Sequence, residues 1–185
     1  MSTQPLQQAQ AISRTVLEQI SADQMTNPTP CASWDVAGLV NHVVGGQHFF
    51  AAAMEGEKPD GDAPDFASGD YMAAFDEGAT RCAQAFGADG ALGKNVTLPF
   101  GEMPGQAFMG LAMTDTFQHA WDLAKATGQS TDLAPEMAKQ LLAASQAAIQ
   151  DSFRGDEGAP FGPQQTAPEG ASAADQLAAF LGRSL

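Results

Sequence analysis

The sequence predicts an all-α protein, an up-and-down four-helix bundle with additional C-terminal helices and a short hairpin near residues 95–104. Long alanine-rich segments carry apolar residues at helical spacing, and little of the chain alternates as a strand does. The 185 residues are 44% hydrophobic and 16% charged, which is typical of a compact globular protein. We therefore expect a single helical domain over residues 1–185.

The first two predicted helices are joined by a turn-rich link. The first helix covers residues 5–20, where apolar residues recur at helical spacing. The link NPTPCASWD contains prolines that disfavour helix. The second helix covers residues 35–54, and both Ser33 and Asp35 are suitable N-caps for it.

An acidic loop rich in Gly and Pro, residues 55–69, precedes a third predicted helix over residues 70–86. After that helix, Val96, Leu98 and Phe100 stand at alternate positions and lead into the turn-like sequence GEMPG. This pattern indicates a short strand or hairpin.

The remaining segments predict three more helices. The fourth covers residues 105–127 and stops at Gly128, which suits the position just after a helix. The fifth covers residues 135–153 and begins with Pro135 in its first turn. The tail GDEGAPFGPQQTAPEG reads as loop, and ASAADQLAAFLGR as a last short helix.

The charge balance excludes some partners. The chain has 22 acidic and 8 basic residues, a formal net charge of −14. Such a charge repels phosphate backbones and anionic lipid, so we expect neither nucleic acid nor membrane as a partner. The N-terminal residues show no secretory signal, and no apolar run approaches the roughly 20 residues that span a bilayer. We therefore expect a cytoplasmic protein.

The two cysteines, Cys31 and Cys82, are far apart in the sequence and form no CxxC pair. The expected environment keeps both thiols reduced. The simplest prediction is that both are buried and chemically inert.

The three histidines, His42, His48 and His119, are the main candidates for a functional site. Helical residues turn by about 100° each, so Asp115 and His119 share a stripe with apolar residues such as Phe108 and point into the bundle. His42 also lies on an apolar face, that of the second helix. His48 lies about 120° around that helix from His42, so these two do not easily serve one centre.

A buried carboxylate beside an imidazole has two explanations. Unless it is paired or coordinated, an ionised carboxylate in a core is costly. Asp115 and His119 can form a buried ion pair, with His42 as an ordinary core histidine, and on spacing alone this is the more common arrangement. They can also bind a divalent cation together with His42, which would leave coordination positions open, as in reactive sites.

Two sequence blocks carry a family resemblance. TPCASWDVAGLVNHVVGG and DTFQHAWDLAKATG, followed by the closing FGP and LAAFLGR, resemble in that order the metal-binding domain of the mycothiol-dependent maleylpyruvate isomerases, within the DinB-like superfamily. The chain looks most like the actinobacterial single-domain proteins of that group. The resemblance covers nearly the whole chain, and the order of the blocks makes it specific.

The resemblance implies a DinB-like four-helix bundle that binds a divalent metal ion through His42, Asp115 and His119, with zinc the first expectation and nickel the second. It also implies mycothiol as a cosubstrate, a thiol that the metal would activate towards an electrophile. The isomerases have Glu where this chain has Asp115. Since Asp is one methylene shorter, the metal is expected to lie closer to the helix or in a different geometry.

The isomerases also carry a C-terminal domain that contributes to catalysis, whereas this sequence ends at Leu185, so maleylpyruvate isomerisation itself is not expected. The expected function is a thiol-dependent transferase or isomerase-like activity on a small electrophile. One alternative is a non-catalytic metal-binding or stress-response module that recruits another protein. Another is a metal-free site whose polar residues hydrogen-bond one another. Bundles of this type often pair through helix faces, which leaves a homodimer open.

Several other residues have both a structural and a functional interpretation. Asp122 either hydrogen-bonds the free nitrogen of a ligand histidine or makes an ordinary structural bond. Trp34, beside the cap of the second helix, is expected to act as a hydrophobic staple or core anchor, and core packing is expected for both Trp34 and Trp121. Three arginines are candidates for holding a substrate carboxylate, although their spacing does not select among them: Arg14, Arg81 and Arg154.

Overall fold

The computed structural model describes residues 2–57, 64–155, 159 and 161–185, and these ranges contain six α-helices and a two-stranded sheet. The helices are α1 (Gln4–Leu17), α2 (Val36–Glu55), α3 (Tyr71–Gly87), α4 (Gly105–Ala126), α5 (Pro135–Ala148) and α6 (Ala173–Phe180). The antiparallel strands are β1 (Asn95–Leu98) and β2 (Gly101–Pro104). The predicted all-α bundle and the predicted hairpin are confirmed. Parts of the two predicted loops, residues 58–63, 156–158 and 160, lie outside the described residues.

Helices α1 to α4 form the bundle, in which α2 packs against α3 and α4, and α1 packs against the same two helices. Asn41, near the start of α2, bonds Asp65 just before α3, whereas Glu55 at the end of α2 bonds Arg81 in the later part of α3. Helices α2 and α3 therefore run in the same direction, whereas the predicted up-and-down order has successive helices alternate in direction. The long connection between them allows the chain to return to the starting end of the bundle.

Helices α2 and α4 run in opposite directions. The ring of His42 faces that of His119, and two turns further along α2 the ring of Phe50 faces that of Phe108. As residue numbers rise along one helix, they fall along the other. This antiparallel pair carries the histidines and the carboxylate of the candidate site.

Local signals account for most helix ends. Of the two predicted caps for α2, Asp35 is the one found, and its carboxylate accepts a hydrogen bond from the N–H of Gly38 at 2.9 Å. Asp70 caps α3 in the same manner. Gly128 follows α4 at a φ of +71°, a left-handed conformation that glycine adopts readily.

The fifth and sixth helices are shorter than predicted. Helix α5 ends at Ala148 rather than at residue 153, since Ile149 takes an extended conformation and Phe153 stays 46% exposed. A helix is extended mainly by the burial of an apolar face, and Phe153 contributes no such burial. Helix α6 is limited by Ser172, which caps its start, and by Gly182, whose φ of +95° turns the chain away.

The C-terminal helices cover one side of the bundle. Helices α5 and α6 pack on each other, and α6 packs on α4. Trp121 of α4 is fully buried there, as predicted, and its indole N–H donates to Asp175 of α6 at 2.9 Å. None of the helices in the described ranges combines the length and hydrophobicity needed to cross a membrane.

The cap of α2 gives a test of this local structure. Asp35→Ala is expected to lower the free energy of unfolding by about 1 kcal/mol, because a first-turn N–H loses its acceptor. Urea denaturation followed by circular dichroism measures this loss. The matched control, Ser33→Ala, removes the other candidate cap and is expected to change the free energy by less than about 0.5 kcal/mol. A larger effect at Ser33 than at Asp35 would contradict the assignment.

Candidate metal centre

Helices α2 and α4 bring the three predicted ligands to one point. His42 lies in the second turn of α2, and Asp115 and His119 lie one turn apart on α4. The side chains are 32%, 23% and 11% exposed, in that order. The cluster therefore lies at the edge of the core and is reachable from solvent.

The donor atoms converge on one carboxylate oxygen. Nε2 of His42 lies 3.3 Å from Oδ1 of Asp115, and Nε2 of His119 lies 3.5 Å from the same oxygen. The two imidazole rings meet edge to face, with centroids 4.6 Å apart. One donor atom from each of the three residues lies within 4.8 Å of the other two.

This donor set fits a divalent cation. Two ligands bound at roughly 2.0–2.1 Å to a tetrahedral zinc ion lie about 3.3–3.4 Å apart, close to both distances from Asp115. Two imidazole nitrogens and one carboxylate oxygen are donor types that zinc accepts, and they leave a fourth position for a small molecule. A metal-free cluster of hydrogen bonds accounts for the same separations, so the metal stays a prediction.

Asp122 lies on the other side of His119. Its Oδ2 atom is 2.9 Å from Nδ1 of His119, and the residue is fully buried. A proton on Nδ1 that is donated to this carboxylate leaves Nε2 free to face Asp115 and His42. Of the two interpretations of Asp122 offered by the sequence, the bond to the imidazole is the one found.

Arg183, after α6, and Cys31, in the link before α2, complete the layer behind His119. Nε and Nη2 of Arg183 donate to the two oxygens of Asp122 at 3.1 and 3.0 Å. Sγ of Cys31 lies 3.2 Å from Oδ2 of Asp122 and 3.8 Å from Nδ1 of His119. Neither contact with Asp122 is predicted by the sequence, because the contacts join positions 61 and 91 residues apart and no local spacing connects them.

The charges of this layer compensate one another. Burial alone would raise the pKa of Asp122, but the hydrogen bond from His119 and the Arg183 guanidinium hold it at about 2. Burial is likewise outweighed at Asp115, where His119 and His42 hold the pKa well below its usual range. Burial would lower the pKa of His119, but the charge of Asp115 and the hydrogen bonds with both carboxylates raise it well above its usual value.

His48 lies on a different face of α2, as its angular position predicted. Its ring stacks on Phe66 with centroids 5.5 Å apart, and its Nε2 lies 3.0 Å from the carbonyl oxygen of Ala74. His48 therefore belongs to the contact between α2 and α3. This makes it a natural control for variants of the other two histidines.

The three arginines proposed as carboxylate-binding candidates have partners within the protein, and their role towards a substrate stays a prediction. Their guanidinium groups donate to acidic side chains or to backbone carbonyls: Arg14 to Asp76 and Glu18, Arg81 to Glu55 and Glu57, and Nη1 of Arg154 to the carbonyls of Gly162 and Phe180.

The prediction that Trp34 packs in the core is wrong. Trp34 is 37% exposed and stacks on His42 with ring centroids 4.5 Å apart, while its edge faces His119 at 6.0 Å. The reason is its place beside the cap Asp35, which holds the indole over the first turn of α2. Gly38 permits this close approach, since a Cβ there would lie 3.1 Å from the indole.

The two cysteines differ. Cys82 is fully buried, as predicted, and burial raises its pKa to about 12. The same prediction is wrong for Cys31, which is only partly buried. The link before α2 carries Cys31 over the polar layer, where its Sγ contacts Asp122 and Arg183 while the residue also packs against the edge of the apolar core.

These features define an all-α bundle protein with a candidate metal centre between its second and fourth helices. Residues 6–124 match the model of the family described as the mycothiol maleylpyruvate isomerase N-terminal domain. The chain therefore belongs to this family, and the matched region includes His42, Asp115 and His119 but not Arg183.

Two relatives from Mycobacterium tuberculosis extend the likeness over nearly the whole chain. They are named Uncharacterized protein Rv0738 and Uncharacterized protein MT0763, from strains H37Rv and CDC 1551. Each is 43% identical to this chain over 184 residues, which is 97% of this chain and 96% of the relative. No solved structure matches the chain.

The contrast between the cysteines predicts selective labelling. A disulfide-exchange reagent at mildly alkaline pH is expected to modify one of the two thiols in the native protein and both in denaturant, because Cys82 is buried and stays protonated. Absorbance of the released chromophore counts the thiols. The control Cys31→Ser should abolish labelling of the native protein, and rapid labelling that survives it would contradict the placement of Cys82.

Proposed function

We propose that the protein binds a divalent metal ion, zinc first and nickel second, at His42, Asp115 and His119. We propose further that the bound ion serves a mycothiol-dependent transferase or isomerase-like reaction on a small electrophile. The observation that carries the proposal is the convergence of three donor atoms within 4.8 Å, in a chain whose family is described by a mycothiol maleylpyruvate isomerase.

Each residue of the cluster has a distinct task. His42 and His119 present Nε2 atoms, and Asp115 presents Oδ1 together with the negative charge that offsets part of the charge of a divalent ion. Asp122 holds the proton on Nδ1 of His119, so that the other nitrogen stays available. When bound, the ion supplies Lewis acidity, which lowers the pKa of a coordinated thiol.

The surroundings of the site suit small molecules that arrive from solvent. His42 is the most exposed of the three donors, and Trp34 beside it presents a partly exposed aromatic ring. The indole offers an apolar surface next to the donor atoms, against which the carbon skeleton of an electrophile can rest. The net charge of −14 favours uptake of a cation.

The first test concerns the ligands. His42→Ala and His119→Ala are each expected to weaken zinc binding by more than the roughly 10–100-fold that loss of an outer hydrogen-bond partner costs, because each removes a donor atom. Competition with a chromogenic chelator measures the affinity. In thermal melts, zinc at about 100 times its Kd should stabilise the wild-type protein by about 2.7 kcal/mol.

The matched control for these variants is His48→Ala, which removes an imidazole from the same helix but outside the cluster. It is expected to bind zinc as the wild type does. Metal content below about a tenth of an equivalent in gently purified and zinc-supplemented wild-type protein would overturn the proposal, with one equivalent expected for a single site.

The second test concerns the reaction. The zinc-loaded protein, mycothiol and a chlorinated aromatic are expected to give a thioether faster than the same mixture without protein. The thiolate sulfur bonds to the ring carbon, chloride leaves with its electron pair, and the thiol proton passes to solvent. Mass spectrometry of the adduct against time measures the rate.

The variant Asp115→Asn serves as the control for this reaction, since it keeps the shape of the side chain but removes its charge. It should reduce adduct formation to the background rate. If the wild-type protein binds zinc but forms no adduct above background, the result would contradict the proposed transferase activity and favour a non-catalytic binding module.

A further inference from the structure

Arg183 lies outside residues 6–124, which match the family model, yet its side chain reaches the layer behind His119. The side chain is only 16% exposed, and two of its nitrogens donate to separate oxygens of Asp122. Asp122 in turn accepts from Nδ1 of His119 at 2.9 Å. A continuous row therefore runs from the guanidinium to the imidazole whose Nε2 faces Asp115.

The two-pronged contact fixes the orientation of the carboxylate. A guanidinium that bonds both oxygens holds the plane of a carboxylate more firmly than a single hydrogen bond does. Oδ2 of Asp122 is thereby directed at Nδ1 of His119. The contact of Asp122 with Nδ1 thereby fixes the angle of the imidazole ring and, with it, the position of Nε2.

Arg183 also occupies a place that another cation would fit. Donor atoms of Cys31, His119 and Asp122 lie within 4.8 Å of one another, the spacing found in the first cluster. Nη2 of Arg183 lies 3.0 Å from Oδ2 of Asp122 and 3.4 Å from Sγ of Cys31. The guanidinium supplies the positive charge there, which keeps Nδ1 for a proton and leaves Nε2 for the metal.

We propose that Arg183 is a positioning residue of the metal centre, acting through Asp122 to hold His119 with Nε2 turned towards His42 and Asp115. The C-terminal segment after α6 is therefore part of the site. This inference rests on the proposed metal function for its effect on affinity. Its effect on the orientation of His119 is observable without any metal.

The test is a double-mutant cycle on zinc affinity. Arg183→Leu and Asp122→Asn are each expected to weaken zinc binding about 10-fold or more. The double variant is expected to bind no more weakly than Asp122→Asn alone, because Arg183 acts through Asp122. Arg183→Lys is expected to recover part of the affinity, since it keeps the charge but loses the fork.

The matched control is Arg154→Leu. Its guanidinium donates to the carbonyl oxygen of Phe180 at 2.8 Å, so it anchors the same C-terminal segment without a contact to Asp122. It is expected to bind zinc with wild-type affinity. Circular dichroism establishes that each variant is folded. If Arg183→Leu fails to fold, Arg183→Lys takes its place in the affinity measurements and in the spectra below, because it keeps the buried charge and loses only the fork; wild-type affinity in that variant would then count against the inference.

A second readout separates positioning from a merely structural role. Long-range nitrogen–proton spectra of the metal-free protein are expected to show a slowly exchanging Nδ1–H of His119 in the wild type and in Arg154→Leu. The same proton is expected to exchange faster in Arg183→Leu. A folded Arg183→Leu with wild-type affinity and an unchanged Nδ1–H signal would overturn the inference, as would fully additive effects in the cycle.

The two proposals fail in different ways. A wild-type protein that takes up no zinc overturns the proposed function, and the Nδ1–H spectra then decide the role of Arg183 by themselves. Zinc binding in the wild type with no change in affinity or spectrum in Arg183→Leu overturns the inference and leaves the proposed function standing.

Discussion

Helix α4 carries two carboxylates, Asp115 and Asp122, that must be neutralised inside the bundle. The side chains that neutralise them form the candidate centre. Asp115 meets two imidazoles, and the fully buried Asp122 meets the other side of His119 and a guanidinium. An unpaired charge at either position would cost a large part of the stability of a domain. His119 is the common partner, since each of its two nitrogens faces one carboxylate.

A row of buried polar side chains beside the centre keeps α1, α2 and α4 in register. Gln10 of α1 donates to Gln47 of α2, and Gln47 donates to Thr116 of α4, both at 2.9 Å. All three side chains are buried. Sliding one helix along another would leave a buried amide or hydroxyl without its partner, which costs more than the bond itself contributes. Because Thr116 follows Asp115 directly, this row also holds Asp115 level with His42.

The sequence predicted those features that depend on local spacing. Helical periodicity alone placed Asp115 and His119 on one stripe. It left His42 as one of two options, a third ligand or an ordinary core histidine, and the family resemblance favoured the ligand, since angles within one helix do not show which residue faces another. Arg183 escaped prediction because its contact with Asp122 spans most of the C-terminal third of the chain. Trp34 was misplaced because burial is the usual fate of tryptophan, and stacking on an imidazole leaves no trace in the periodicity.

The isomerases that the sequence resembles have Glu where this chain has Asp115, whose side chain is shorter by one methylene. Oδ1 of Asp115 nevertheless lies 3.3 Å from Nε2 of His42 and 3.5 Å from Nε2 of His119. The packing of α2 on α4 brings His42 close enough to meet the shorter side chain. Gly46, one turn after His42, faces the other oxygen, and a Cβ there would lie 3.7 Å from Oδ2. Glycine at this position places no side chain against that oxygen. The spacing of the two helices therefore sets the distance from Asp115 to His42, whereas the distance from Asp115 to His119 is set within α4.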